Sequence, residues 1–163
     1  MHLRTTHDTS NCSIARTLDV VGEKWTILIL REAWYGVARF ADFEQILACP
    51  RNLLSQRLHK LVEEGVLATE PYQEQGERRR HQYILTAKGT RLIPALMALL
   101  EWGDEYMPDH EGPAVYVRHR ECGGRVHLQM CCTGGHSIAK EAEAEPAPGP
   151  AFRHRASNSV RSA

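Results

Sequence analysis

Residues 52–86 read NLLSQRLHKLVEEGVLATEPYQEQGERRRHQYILT, and the fold turns on this stretch. Its first half places Leu54, Leu58, Leu61 and Val62 at helical intervals behind Asn52 as an N-cap, and Gly65 stands where a helix stops in a left-handed turn. The apolar stripe leaves Asn52, Gln56, His59, Lys60 and Glu63 opposite, with Ser55 and Arg57 on the flanks. The second half has two runs, 66–72 and 81–86, rich in Val, Tyr, Ile and Thr around Gly76, which predicts a β-hairpin with Arg78, Arg79 and Arg80 at its tip. A polar-faced helix can lie in a groove, and a basic hairpin beside it can hold a phosphate backbone. The expectation is a winged helix that docks on duplex DNA.

Working outward, Asn11 is a candidate cap for a helix with Ile14, Leu18 and Val21 on one side, ended by Gly22. The run 24–34 has the propensity of a buried strand at Thr26–Leu30, but its length and the Arg31–Glu32 pair favour a buried helix. Residues 39–48 offer Phe40, Phe43, Ile46 and Leu47 as a further amphipathic helix closed by Pro50. Beyond the hairpin, Thr86 can cap a long helix to about Tyr106, in which Pro94 predicts a kink or a late start. From 112 to about 138 the texture changes to short Val/Tyr runs, glycines and a Cys/His-rich segment. From 139 onward few large apolar residues remain, so a disordered tail is expected. The expected division is a flexible 1–11, a domain at 12–111, a Cys/His segment at 112–138 and the tail at 139–163.

The 163 residues carry no net formal charge, but charge is segregated. Between 51 and 91, eight basic side chains face five acids, a net +3; between 101 and 111 there are five acids and no Lys or Arg. An anionic polymer is therefore drawn to the first region and repelled from the second. No apolar segment has the flanks of a signal peptide or the length of a membrane span, which sets a cytoplasmic expectation with no membrane partner. Five cysteines in such a chain read as thiols or metal ligands rather than a disulfide framework.

The ordered set of motifs resembles the HxlR-type family of bacterial winged-helix transcription regulators, which share architecture with the MarR group. The matching residues are Cys12-Ser13, the run Leu18 to Trp25, Ile29-Leu30-Arg31-Glu32, Arg39-Phe40 with Phe43, and Leu54 to Leu58 on to Glu64-Gly65. The wing matches at Tyr72, Gly76-Glu77-Arg78, Tyr83 and Leu85-Thr86, followed by Gly89, Leu92, Pro94 and Trp102-Gly103. The resemblance spans about 12–107, with a weaker echo to Gly135. It implies a mainly α fold with a small β-hairpin wing, dimerised through its terminal helices on operator DNA, and it resolves 24–34 as a helix. It implies pairing through Ile14, Leu18, Leu96, Leu99 and Trp102. The wing is more basic than is typical of the family, where a proline or apolar residue stands near Arg79.

In the candidate reading helix, Gln56 suits adenine and Arg57 suits guanine or a phosphate, although Arg57 could instead brace an acid within the subunit. Asn52, Ser55, His59 and Lys60 complete that face. Three adjacent guanidinium groups at 78–80 repel one another, and an anionic partner relieves the repulsion. Cys12, at the first turn of a helix, is the candidate redox sensor, because the positive dipole end favours thiolate; the resemblance adds that relatives sense oxidants or electrophiles here. The other reading is a small residue packed at a dimer interface. Cys49, without a basic neighbour but Arg51, reads as inert. His119-x2-Cys122 and Cys131-Cys132 with His136 resemble a degenerate zinc ribbon, with Gly134 where such relatives carry a second cysteine.

No catalytic ordering of Ser, His and Asp, no phosphate-cradling glycine loop and no paired-carboxylate motif stands out, so an enzyme is not expected. No cofactor is required, with zinc the one candidate. The rival from another class is a small thiol- or metal-handling protein built on 122–136. A winged helix used only for protein assembly is the other, and the basic wing argues against it. The expectation is a homodimeric operator-binding regulator, a repressor more readily than an activator, answering to an oxidant or small-molecule inducer.

Overall fold

The run with strand-like propensity is a helix in the computed structural model, α2 (Lys24–Trp34). Thr26, Ile29 and Leu30 are buried on it and Trp25, Ile27 and Leu28 pack against the same core, so the helix is apolar nearly all round, as a central helix must be. Glu32 is buried too, and its carboxylate accepts a hydrogen bond from Arg31 Nε at 2.7 Å.

The structure describes residues 10–73, 76 and 78–152. Around α2 the chain order is α1 (Ser13–Val21), α3 (Phe40–Leu47), α4 (Arg51–Glu63), β1 (Leu67–Tyr72), β2 (Arg80–Leu85), α5 (Ala87–Thr90), α6 (Ile93–Tyr106), β3 (Met130–Cys131) and β4 (Ser137–Ile138). The fold is mainly α with a small wing. Two compact units are present: Val20–Gln129, and the described parts of Met1–Asp19 with Met130–Ala163. The larger compact unit runs past the change of texture at 112, to Gln129, whereas the smaller one takes up the rest of the Cys/His segment. Of the expected flexible start and tail, 1–9 and 153–163 lie outside the described residues; 10–11 and 139–152 lie within them, the latter with a 3-10 turn at Glu141–Glu143.

The core of the larger unit gathers Val21, Ile29, Leu30, Phe43, Leu47, Leu54, Leu58, Leu61, Val66, Leu67 and Leu96. Its middle layer is the inward stripe of α4, where Leu54, Leu58 and Leu61 are 0% exposed. Helix α4 stops at a left-handed Gly65 (φ 65°), with Gly65 N–H donating to the Val62 carbonyl and Val66 N–H to the Leu61 carbonyl, both at 2.9 Å. These two bonds satisfy the last carbonyls and turn the chain into β1.

Strands β1 and β2 pair antiparallel from Leu67 opposite Leu85 to Tyr72 opposite Arg80. Thr86 caps only the short α5, its hydroxyl accepting from Gly89 N–H at 3.0 Å. The expected long helix is broken: Pro94 cannot donate to the preceding turn, so it sits in the first turn of a separate α6. Gly89 is needed for another reason, since a Cβ there would collide with the Val66 carbonyl.

Candidate nucleic-acid interface

Helices α3 and α4 are joined by three residues, Ala48, Cys49 and Pro50, the connection of a helix-turn-helix. Ala48 takes a left-handed conformation (φ 48°) with its N–H on the Glu44 carbonyl at 3.1 Å. Pro50, not Asn52, occupies the N-cap position of α4, and its carbonyl accepts from Leu54 N–H at 2.9 Å. Asn52 is thereby moved from the expected cap to the second residue of the helix, where its amide is exposed.

With the leucine stripe buried, α4 turns Asn52, Ser55, Gln56 and His59 to the outside, while Lys60 is half-buried. His59 Nε2 lies 3.1 Å from Glu63 Oε1, one turn along. Arg57 is different. Its Nη2 lies 3.3 Å from Glu23 Oε2 at the start of α2, and its Nε is buried without a hydrogen-bond partner. The brace to an acid, one of the two readings open in the sequence, is present within the chain.

Cys49 is buried in the turn, and burial pushes its thiol above the ordinary range, against a smaller lowering by the Arg57 charge. Its Sγ donates to the Pro50 carbonyl at 3.7 Å, so it is held as a packed thiol.

The wing is anchored to the segment that leads into α3 and to α3 itself. Tyr83 N–H donates to the Ala38 carbonyl at 2.7 Å and Arg39 forms an isolated bridge with Gln82, adding a one-residue third strand to the sheet. The Tyr83 ring meets Phe43 edge-on with centroids 6.4 Å apart, and the Arg39 guanidinium lies 4.8 Å over Tyr72. Beyond this base Arg78, Arg79 and Arg80 are all exposed; Glu74, Gln75 and Glu77 lie outside the described residues. Arg51, at the first position of α4, stacks 4.9 Å over Phe40 and pairs with Glu44 at 2.7 Å. Arg39 and Arg51 are cations beside the interface that sequence reasoning did not select, because a one-residue strand and a stacking contact leave no periodic signal.

The HxlR-like helix-turn-helix model matches residues 20–111, which contain this whole arrangement. The chain belongs to the HxlR-like helix-turn-helix family. An HTH-type transcriptional regulator of Mycobacterium tuberculosis is 42% identical over 147 residues, covering 90% of this chain and 92% of the relative. The crystal structure of PA1607, assigned as a transcription factor, superposes with a TM-score of 0.74 at 34% identity, covering 86% of this chain and 96% of that one. The redox regulator HypR in its reduced form matches with a TM-score of 0.51 at 29% identity, over 56% of this chain and 90% of that one.

As a member of this family of DNA-binding transcriptional regulators, the HxlR-like chain places its other candidate residues as follows. Cys12 is not in the first turn of α1 but at its N-cap position, half-buried, its carbonyl accepting from Arg16 N–H at 3.1 Å. Asn11, expected as the cap, instead donates from Nδ2 to the Ala151 carbonyl at 2.6 Å. Ile14 and Leu18 are 72% and 55% exposed on α1. On α6, Leu99 and Trp102 are each 55% exposed, and Tyr106 packs against Trp102 with ring centroids 5.5 Å apart.

Leu96 corrects the expected pairing surface. It is buried in the chain's own core, one helical turn from Leu99 and on the opposite side of the dividing line between core and surface. His119 lies beside Cys122, and Cys132 beside His136, while no group of three or more potential metal-binding side chains comes together among the described residues. No helix among the described residues is long and apolar enough to cross a membrane.

Proposed function

We propose that this HxlR-like regulator is a homodimer that represses transcription by occupying a pseudo-palindromic operator. The carrying observation is the division of α4 into a fully buried leucine face and an exposed face of Asn52, Ser55, Gln56 and His59, next to an exposed Arg78–Arg79–Arg80 wing. In this reading α4 enters the major groove, where Gln56 pairs with adenine and Ser55 and Lys60 contact base edges or phosphate. The wing cations hold the adjacent backbone.

The exposed Leu99, Trp102 and Tyr106 of α6 support pairing, because large apolar side chains at successive helical turns gain from being covered. Two-fold symmetry then sets the half-sites about one helical turn apart. An oxidant or electrophile acting at Cys12 is the favoured signal, supported by the position of the thiol at the amino end of α1 and by the likeness to HypR.

The test is recovery of fragmented genomic DNA by the reduced, purified protein at near-physiological salt, followed by sequencing. A few enriched sites sharing an inverted repeat support the proposal. Uniform recovery, or none, overturns it.

A further inference from the structure

A row of cations and rings runs from the start of α4 to the wing. Arg51, the first residue of α4, has its guanidinium 4.9 Å over Phe40, the first residue of α3. Arg39, next to Phe40 in the chain, has its guanidinium 4.8 Å over Tyr72 of β1. Tyr72 stands opposite Arg80 in the ladder, and directly opposed residues share a face of a sheet. Gln82, two residues beyond Arg80, is on that face as well, and Arg39 is bridged to it. The side chains of Arg39, Tyr72 and Arg80 are therefore on one side of the wing, and Phe40 carries the row on to Arg51 at the amino end of α4.

Arg39 differs from Arg51 in its surroundings. The charge of Arg51 is offset by Glu44 at 2.7 Å. Arg39 is exposed and holds the N-cap position of α3, where no described side chain caps the first amides, so side chain and helix end present the same sign. The acids nearby in the chain or on the face are Asp42, in the first turn of α3, and Glu70, opposite Gln82. A guanidinium is planar, and its forked donors match two oxygens of one phosphate. Held against a ring, it has less freedom left to lose when such a group binds.

We propose that Arg39 binds a phosphate of the DNA backbone between the one reached by the wing and the groove entered by α4, and that Tyr72 places it there. The inference rests on the DNA-binding reading of α4 and the wing and deepens it, since the two become one continuous track along the backbone. Arg39 makes the contact, and Tyr72 is a positioning residue. The contact carries no sequence information of its own, because phosphates are alike. Its effect is to fix the register and orientation in which α4 meets the base edges.

Fluorescence anisotropy of the full-length reduced protein over a salt series is the test, on a labelled mixed-sequence duplex and on one carrying the recovered inverted repeat. Arg39→Ala should lower the slope of log affinity against log salt by about 0.9, on both duplexes alike. Arg39→Lys keeps the charge without the planar fork, so it should keep the slope while binding more weakly. Tyr72→Leu should bind more weakly than Tyr72→Phe, which keeps the ring, and should add no further loss to Arg39→Ala. A slope unchanged in Arg39→Ala, or reduced equally in Arg39→Lys, overturns the phosphate contact. Equal affinities for Tyr72→Leu and Tyr72→Phe overturn the positioning role. In these cases the unaltered protein still shows its own salt slope and the DNA-binding reading stands. A flat slope for the unaltered protein on both duplexes overturns that reading and this inference with it.

Discussion

Arg57 Nη2 lies 3.3 Å from Glu23 Oε2, so the middle of α4 is tied to the start of α2 by a side chain that the sequence also offered as a DNA contact. The pair separates two roles on one helix. Arg57→Ala should cost about 1 kcal/mol of stability, through lost packing of the stem and a partly exposed ion pair. Gln56→Ala should leave stability nearly unchanged and relax preference at one operator position, a discrimination of about 1–3 kcal/mol. Urea titrations and a panel of single-base operator variants measure both. Equal loss of affinity for every sequence in Gln56→Ala would refute base reading by that residue.

The proposed role of the exposed wing cations is to hold phosphate. Replacing Arg78, Arg79 and Arg80 together by Ala should flatten the plot of log affinity against log salt by about 0.9 for each phosphate no longer neutralised, with little change in the preferred sequence. An unchanged slope would remove the wing from the interface.

Ala48 holds a left-handed backbone without being glycine, at φ 48° in the turn between α3 and α4. Its Cβ meets the following carbonyl oxygen in that conformation, at a cost of about 1–2 kcal/mol. Ala48→Gly relieves the clash but loosens the unfolded chain, so a net gain of about 0.5–1 kcal/mol is expected. A lower urea midpoint would show that the turn is not strained in solution.

Alkaline pH should destabilise the protein through Cys49. Its thiol is raised by burial, so the fold favours the protonated form. That contribution is complete below the unfolded thiol's value, about 8.5, and is lost as pH rises through the higher folded value. Stability should therefore fall from about pH 8.5 upward, and Cys49→Ala should remove this first part of the decline. Tyr83 and Tyr35, also raised by burial, extend it beyond about pH 10. Parallel slopes for Cys49→Ala and the unaltered protein across this window would place the loss elsewhere.

Cys12→Ser should abolish oxidant-induced release of operator DNA while leaving binding under reducing conditions intact. Gel-shift titrations with and without peroxide test this. A variant that still releases moves the sensing step to another thiol, with the exposed Cys122 and Cys132 next in turn.

What was legible in the sequence was whatever repeats along the chain. The leucines of α4, the Gly65 stop and the Val-, Tyr-, Ile- and Thr-rich runs around Gly76 are local patterns, because backbone conformation and hydrogen bonding select side chains residue by residue along the chain. Family membership followed from the same ordered motifs. Boundaries set by local competition were less legible: Pro50 displaced Asn52 from the cap, and Pro94 divided the expected helix into α5 and α6. Tertiary structure alone decided the pairings between distant residues. It placed Arg57 on Glu23, set Leu96 inward while leaving Leu99 exposed, and joined Arg39 to Gln82. Periodicity tells which side of an element is apolar, but a side chain near the dividing line is assigned only when the neighbouring elements close over it.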